Sequence, residues 1–306
     1  MIIVEVSDEP EEPTEPDVPP PNIPAKYSNH YLLTGADGSE WDLCNGPVFI
    51  TEGASGFGTP KPENRWKESP AIDGAVWAGA RVPQRTLTLP LSIEARDSLP
   101  WRDIYDAFFA AIDDEATLTV TTPDARSRSI DIRYDDGADI EVEVDPLLRR
   151  QALYPLSFIA GDPYWHGQPV ARAYKTGDPQ PLFPGPPFHI IPSNVLGSAT
   201  VTNPGDVDAW PQWEVLGPFD GFTVGLGDSR VSYTGPVAAG ERVIIDMDPH
   251  MLTIRDGKGN DQWDGVTEAD FAAVPPGDVH LDLSLSGASL STRIRLSFVP
   301  RYRRAW

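Results

Sequence analysis

Short runs with apolar residues at every second position dominate this chain. In Thr86-Leu87-Thr88-Leu89-Pro90-Leu91-Ser92-Ile93, the residues Leu87, Leu89, Leu91 and Ile93 share one strand face. Pro90 has no N–H for a ladder and predicts an edge or a bulge there. Tyr31-Leu32-Leu33 and Trp41-Asp42-Leu43 flank Gly35-Ala36-Asp37-Gly38, a hairpin signal. Val48-Phe49-Ile50-Thr51 predicts a third strand. The Gly-rich run Gly53-Ala54-Ser55-Gly56-Phe57-Gly58 opens a flexible loop expected to reach residue 72.

The period changes once. Trp101, Ile104, Tyr105, Phe108 and Ile112 recur at helical spacing and predict a helix over 98–115, with Ser98 as N-cap and Pro100 in the first turn. A lone apolar stripe of this kind covers a sheet. Strands resume over 116–121 and 126–134, joined by a Thr122-Pro123-Asp124-Ala125 turn. They continue over 141–145 and from 149 to 160. Beyond 200, eight runs separated by turn residues predict a second β-sandwich or jelly roll: 200–202, 212–216, 222–224, 230–233, 242–246, 251–254, 279–285 and 292–299.

Composition divides the chain. Residues 1–26 alternate proline with Glu9, Glu11, Glu12, Glu15 and Asp17, bury little apolar area, and are expected to be extended or disordered. A second Pro-rich stretch, 170–199, is expected to link a unit at 27–169 to one at 200–306. The fold class expected is mainly β, with one helix in the first unit and a β-sandwich as the second. With 33 Pro and 26 Gly in 306 residues, a turn-rich β chain is favoured over a helical one.

Charge and cysteine content narrow the function classes. The net charge of -22 disfavours nucleic-acid binding, since the basic residues cluster weakly apart from Arg301, Arg303 and Arg304. Cys44 stands alone, so a disulfide scaffold is excluded. Apolar runs are too short for a membrane span, and the start of the chain lacks the marks of a secretion signal, so a soluble protein is expected.

The order of these features resembles that of siphophage distal tail proteins. An alternating strand with nearby arginines precedes the helix, then a strand and a Pro-Asp turn: residues 85–93, 101–112 and 117–128. The passage Ser157-Phe158-Ile159-Ala160-Gly161-Asp162-Pro163-Tyr164-Trp165-His166-Gly167 ends a strand in a polar turn. Asn203-Pro204-Gly205-Asp206 with Trp210-Pro211, and the closing Phe298-Val299-Pro300-Arg301-Tyr302-Arg303-Arg304-Ala305-Trp306, resemble the family's second domain. The composition is similar to that of tail proteins of phages that infect actinobacteria. The resemblance implies a virion protein of the tail tip, assembled in the host cytoplasm. Six copies of its first domain would form a ring between tail-tube protein and tail-tip hub protein. Tape-measure protein and DNA would pass through, without specific DNA binding. The second domain would be galectin-like and offer a platform for receptor-binding fibres. The rival reading is a carbohydrate-binding adhesin.

The chain shows no catalytic, cofactor or metal motif. The Gly53–Gly58 run does not match a phosphate loop. Asp256-Gly257-Lys258-Gly259-Asn260-Asp261 and Asp135-Asp136-Gly137-Ala138-Asp139 lack a full calcium ligand set and read as hairpin loops. Glu141, Glu143 and Asp145 share a strand face, and a glycosidase pair could be built from such carboxylates, but Val142 and Val144 alternate with them as core residues. His30, His166, His189, His250 and His280 have no metal-ligand spacing. Trp213 belongs to a core strand. Trp210 and Trp263 are the candidates for contact with a carbohydrate or a partner.

Overall fold

The computed structural model describes residues 29–70, 72–95, 101–140, 151–175 and 195–306. The acidic Pro-rich segment, Ser98, Pro100, His189 and the Glu141, Glu143 and Asp145 strand face lie outside them.

The first unit is one curled sheet. Its strands are β1 (His30–Thr34), β2 (Glu40–Asp42), β3 (Val48–Ile50), β6 (Arg85–Glu94), β7 (Ala116–Thr121), β8 (Ser127–Asp136) and β9 (Gln151–Ala160). They run in the order β2-β1-β7-β8-β9-β6-β3. The ends of that path approach each other, since the Ile50 amide donates to the Leu43 carbonyl at 2.9 Å. Leu87, Leu89, Leu91, Ile93, Leu156 and Phe158 face inward and are fully buried, as alternation requires. The helix α1 (Trp101–Ala111) lays Trp101, Ile104, Phe108 and Ala111 on this core. The Trp101 indole N–H donates to the Ile93 carbonyl at 3.0 Å, which fixes the helix to the end of β6.

Pro90 decides between the two expected alternatives, an edge and a bulge. β6 is flanked by β9 and β3, and the β6–β9 register runs unbroken through the pair Pro90↔Pro155. The Pro90 carbonyl accepts from the Thr51 amide at 2.7 Å, just past the end of β3. A residue's N and carbonyl point to the same side of a strand, so the missing N–H falls on the β3 side just past the last β3 residue, where the regular ladder has ended. Of the two expected alternatives, a local edge holds and a bulge does not.

The expected loop over 53–72 holds a hairpin. β4 (Glu63–Ser69) and β5 (Ile72–Arg81) pair antiparallel as a separate two-stranded sheet. Every residue of β4 is exposed, so no alternation marks it. The start of that segment is also more ordered than a flexible loop. Ser55 bridges Thr88, and Phe57 is buried.

The second unit packs two five-stranded sheets around one core containing Trp213, Phe222, Val224, Leu283, Ile294 and Leu296. One sheet orders β11 (Val170–Lys175), β20 (Arg293–Phe298), β13 (Gln212–Leu216), β16 (Arg242–Asp246) and β17 (Thr253–Asp256). The other orders β12 (Val195–Asn203), β19 (Gly277–Ser286), β14 (Phe219–Leu226), β15 (Ser229–Val237) and β18 (Val266–Ala269). The eight expected strands are all present. Two more join them. β18 is short and mostly exposed. β11 lies inside the stretch expected to be linker and forms an edge against β20.

Candidate functional site

The two units meet where the chain's end folds back. After β20 the chain returns to the first unit, and β21 (Arg301–Tyr302) pairs with β10 (Trp165–His166), the two aromatic positions that follow the Asp162-Pro163 turn. The last six residues thus act as a clasp. The Gly167 amide donates to the Pro300 carbonyl at 2.8 Å and the Ala305 amide to the Phe57 carbonyl at 2.9 Å. Phe57 stacks between Trp165 and Trp306, with ring centroids 5.8 and 5.5 Å away. A side chain at Gly167 would run into the Tyr302 ring, 2.7 Å from the added carbon.

Arg85 is the centre of this clasp. It lies in phase with Leu87, Leu89, Leu91 and Ile93, so it points inward and is buried. Its guanidinium donates to four backbone carbonyls: Pro163 at 2.6 Å, Gly58 at 2.7 Å, Arg303 at 2.8 Å, and Gly56. One side chain ties β6, the 53–58 loop, the Asp162-Pro163 turn and the chain's end. Burial lowers its pKa, and Asp162 and Tyr164 offset part of that. Gly56 has φ +96, and a Cβ there would sit 2.6 Å from the Thr86 carbonyl oxygen, so the loop needs glycine to approach β6.

Charge pairs complete the junction. Arg301 donates to Asp162 at 2.8 Å, and His166 pairs with the other Asp162 oxygen at 3.0 Å. Burial alone would raise the Asp162 carboxyl, but hydrogen bonds from His166 and Arg301 and their charges outweigh it and hold it at about 2. The Arg301 guanidinium also lies over the Tyr164 ring, and that of Arg128 over Tyr302. Arg128 donates to the Arg304 carbonyl at 2.7 Å, and the Arg303 amide donates to Asp206 at 2.7 Å.

The second feature is the β4–β5 arm, which leaves the first unit three residues before Arg85. Trp66 and Trp77 sit opposite each other across its strands and are 57% and 56% exposed; Val76 is 72% exposed. The Trp77 indole donates to Asn64 at 3.0 Å, and Arg81 pairs with Glu63 at 2.7 Å at the arm's base. An isolated two-stranded hairpin is marginal in water. Full burial of each large apolar side chain would stabilise by about 1.5–3 kcal/mol.

The sequence-predicted site residues lie apart from the arm. Trp210 is half-buried and lines a cleft beside the clasp. Trp263 is 39% exposed, lies in a 3-10 turn and packs edge-on against Phe271. The structure does not bring the two together in one cavity. Trp213 is fully buried. The Asp256 loop closes on itself, with the Lys258 and Asn260 amides on Asp256 Oδ1 at 2.8 and 2.9 Å. Sequence reasoning missed Arg85 and the arm tryptophans. The phase of Arg85 within the β6 alternation was the available signal; the arm carries none.

No protein-family model matches the chain. It is 27% identical to minor tail protein Gp27 of Mycobacterium phage D29 over 209 residues, 60% of this chain. That alignment also spans 60% of the phage D29 protein, less than two thirds of its length. It is 22% identical to minor tail protein Gp27 of Mycobacterium phage L5, across 90% of this chain and 97% of that protein. Among solved structures it resembles the SPP1 Dit protein, described as a hub adsorption apparatus of phages infecting Gram-positive bacteria. The TM-score is 0.63 at 15% identity, covering 89% of this chain and 98% of that one. A chain of the phage P2 baseplate gives a TM-score of 0.50 at 14% identity, covering 88% and 97%. The resemblance to siphophage distal tail proteins is thus borne out: this chain is similar to mycobacteriophage minor tail proteins and has the Dit-like, mainly β fold.

Proposed function

We propose that the chain is a non-enzymatic distal tail protein that works as a ring, most simply of six copies, in the virion's tail tip. The observation that carries the ring is the arm: a hairpin with two tryptophans and a valine open to solvent, whose second strand leads into β6 at Arg85. Its apolar side chains need a surface, and a neighbouring copy of the first unit supplies one repeatedly around a closed symmetry. The likeness to minor tail proteins and to the Dit fold supports the same reading.

In this reading the ring is built from the unit at 27–169 and joins the tail tube to the tail-tip hub. Tape-measure protein and DNA pass through its lumen. With 46 acidic against 24 basic side chains, the mean surface repels DNA and lets it slide. The second unit projects outward as a platform for fibres. Quantitative protein composition of purified tail tips tests the proposal. It expects this chain at a multiple of three copies per tip; any other stoichiometry, or its absence from the tip, counts against it.

A further inference from the structure

From the cleft where the outer face of the second unit meets the clasp we infer a binding site for a short neutral saccharide, centred on Trp210. The site does not depend on the ring.

The cleft there holds about 540 Å³, within the range of ligand pockets. Its floor is built by strand register. Ser297, Gln212 and Asp246 are direct partners across β20, β13 and β16. Their chain neighbours Leu296, Trp213 and Ile245 are buried in the core, so these three side chains stand in one row on the opposite face. The row spans two strand spacings, about 10 Å. Arg295 lies two residues along β20 from Ser297, on the same face. Trp210 and Met251 flank the row, and all six residues line the cleft.

The polar groups of this row are largely unused. The Trp210 indole N–H, the Gln212 amide and the Ser297 hydroxyl have no hydrogen-bond partner among the described residues. Asp246 commits one oxygen, Oδ1, to the Asp248 amide at 3.1 Å and leaves Oδ2 open. Arg295 reaches Glu214 only at 4.0 Å. The free groups mix donors and acceptors around an aromatic plane.

That mixture selects the ligand class. Charge selects neither sign: Asp246 and Asp248 face Arg295 across the cleft lining, and Asp162 and Arg301, which also line it, are spent on each other. A metal ion needs converging ligands, and no such group occurs among the described residues. A purely apolar ligand would strand the Gln212, Ser297 and Asp246 groups without partners. A sugar ring offers hydroxyls that both donate and accept, and an apolar C–H face to lie on the indole. Trp263, packed against Phe271 in its own turn, lacks such a polar row.

Saturation-transfer NMR on the full chain tests this. The probes are mono- to trisaccharides of glucose, galactose, mannose, arabinose and N-acetylglucosamine. At least one should bind saturably. Trp210→Ala and Gln212→Ala should each weaken it at least tenfold, while Trp210→Phe retains most of the affinity and Trp263→Ala all of it. Gln212 is exposed, so its variant reports on binding without disturbing the core. The inference fails if no probe binds saturably, or if Gln212→Ala binds as the parent does. Either result leaves the ring stoichiometry untouched, so the two readings fail separately.

Discussion

Asp162 and Arg301 stand 139 positions apart in the chain and meet at 2.8 Å. The pair joins the turn before β10 to β21, the strand that pairs with β10. It holds the second unit by both of its ends. Asp162 has a folded pKa of about 2, below the unfolded value of about 3.9. Its contribution is therefore complete above about pH 5 and is lost as pH falls through about 2. The side chain is 36% exposed, so the contribution is on the order of 1 kcal/mol. Urea denaturation of Asp162→Asn and the parent protein should differ at pH 7, and the gap should narrow by about half at pH 3. A gap that widens at low pH contradicts the assignment.

Arg85 should matter more. Arg85→Ala leaves four buried or partly buried carbonyls without their shared donor, and a loss of about 3 kcal/mol is expected. Arg85→Lys should rescue little, because an ammonium cannot span the four carbonyls that the planar guanidinium fork reaches. Denaturation midpoints decide this. Near-parental stability for the lysine variant would mean that charge, rather than the fork, holds the clasp.

The position of β11 changes where a separable second unit should begin. A fragment of 200–306 lacks β11 and leaves the β20 edge open, with part of β12 missing as well. A fragment of 168–306 keeps both. The longer fragment is expected to melt cooperatively at a higher temperature than the shorter one. Equal melting temperatures would show that β11 contributes nothing to the fold.

Where burial leaves a trace, the sequence was readable. Leu87 to Ile93 alternate because one face of β6 is core, and Trp101 to Ile112 follow the helical period because α1 covers a sheet. The same logic exposes every strand of the second unit that has a buried face. The arm left no trace, because a hairpin exposed on all sides imposes no alternation on Glu63 to Ser69. β11 was hidden because Ala171, Arg172 and Ala173 are all exposed and only Val170 and Tyr174 pack against the core, too few for an alternation to show. Pro90 marked the point where β3 ends beside β6, but the sequence could not say whether that point was an edge or a bulge. The clasp is a pairing of two-residue strands from distant parts of the chain, and no local pattern reports such a contact. Trp210 was legible as a candidate, but the row of Ser297, Gln212 and Asp246 beside it needed the register of three strands.

The central claim is that the arm joins copies of this chain into a ring. The absolute mass of the full chain should be measured by light scattering, alone and co-produced with the tail proteins it would adjoin. The account predicts a species of about 200 kDa, six times the 33.4 kDa chain, in at least one of these preparations. A Trp66→Ser, Val76→Ser, Trp77→Ser variant should keep the parental circular dichroism and melting temperature yet remain monomeric. A parent chain that stays monomeric in both preparations, or an arm variant that assembles like the parent, would contradict it.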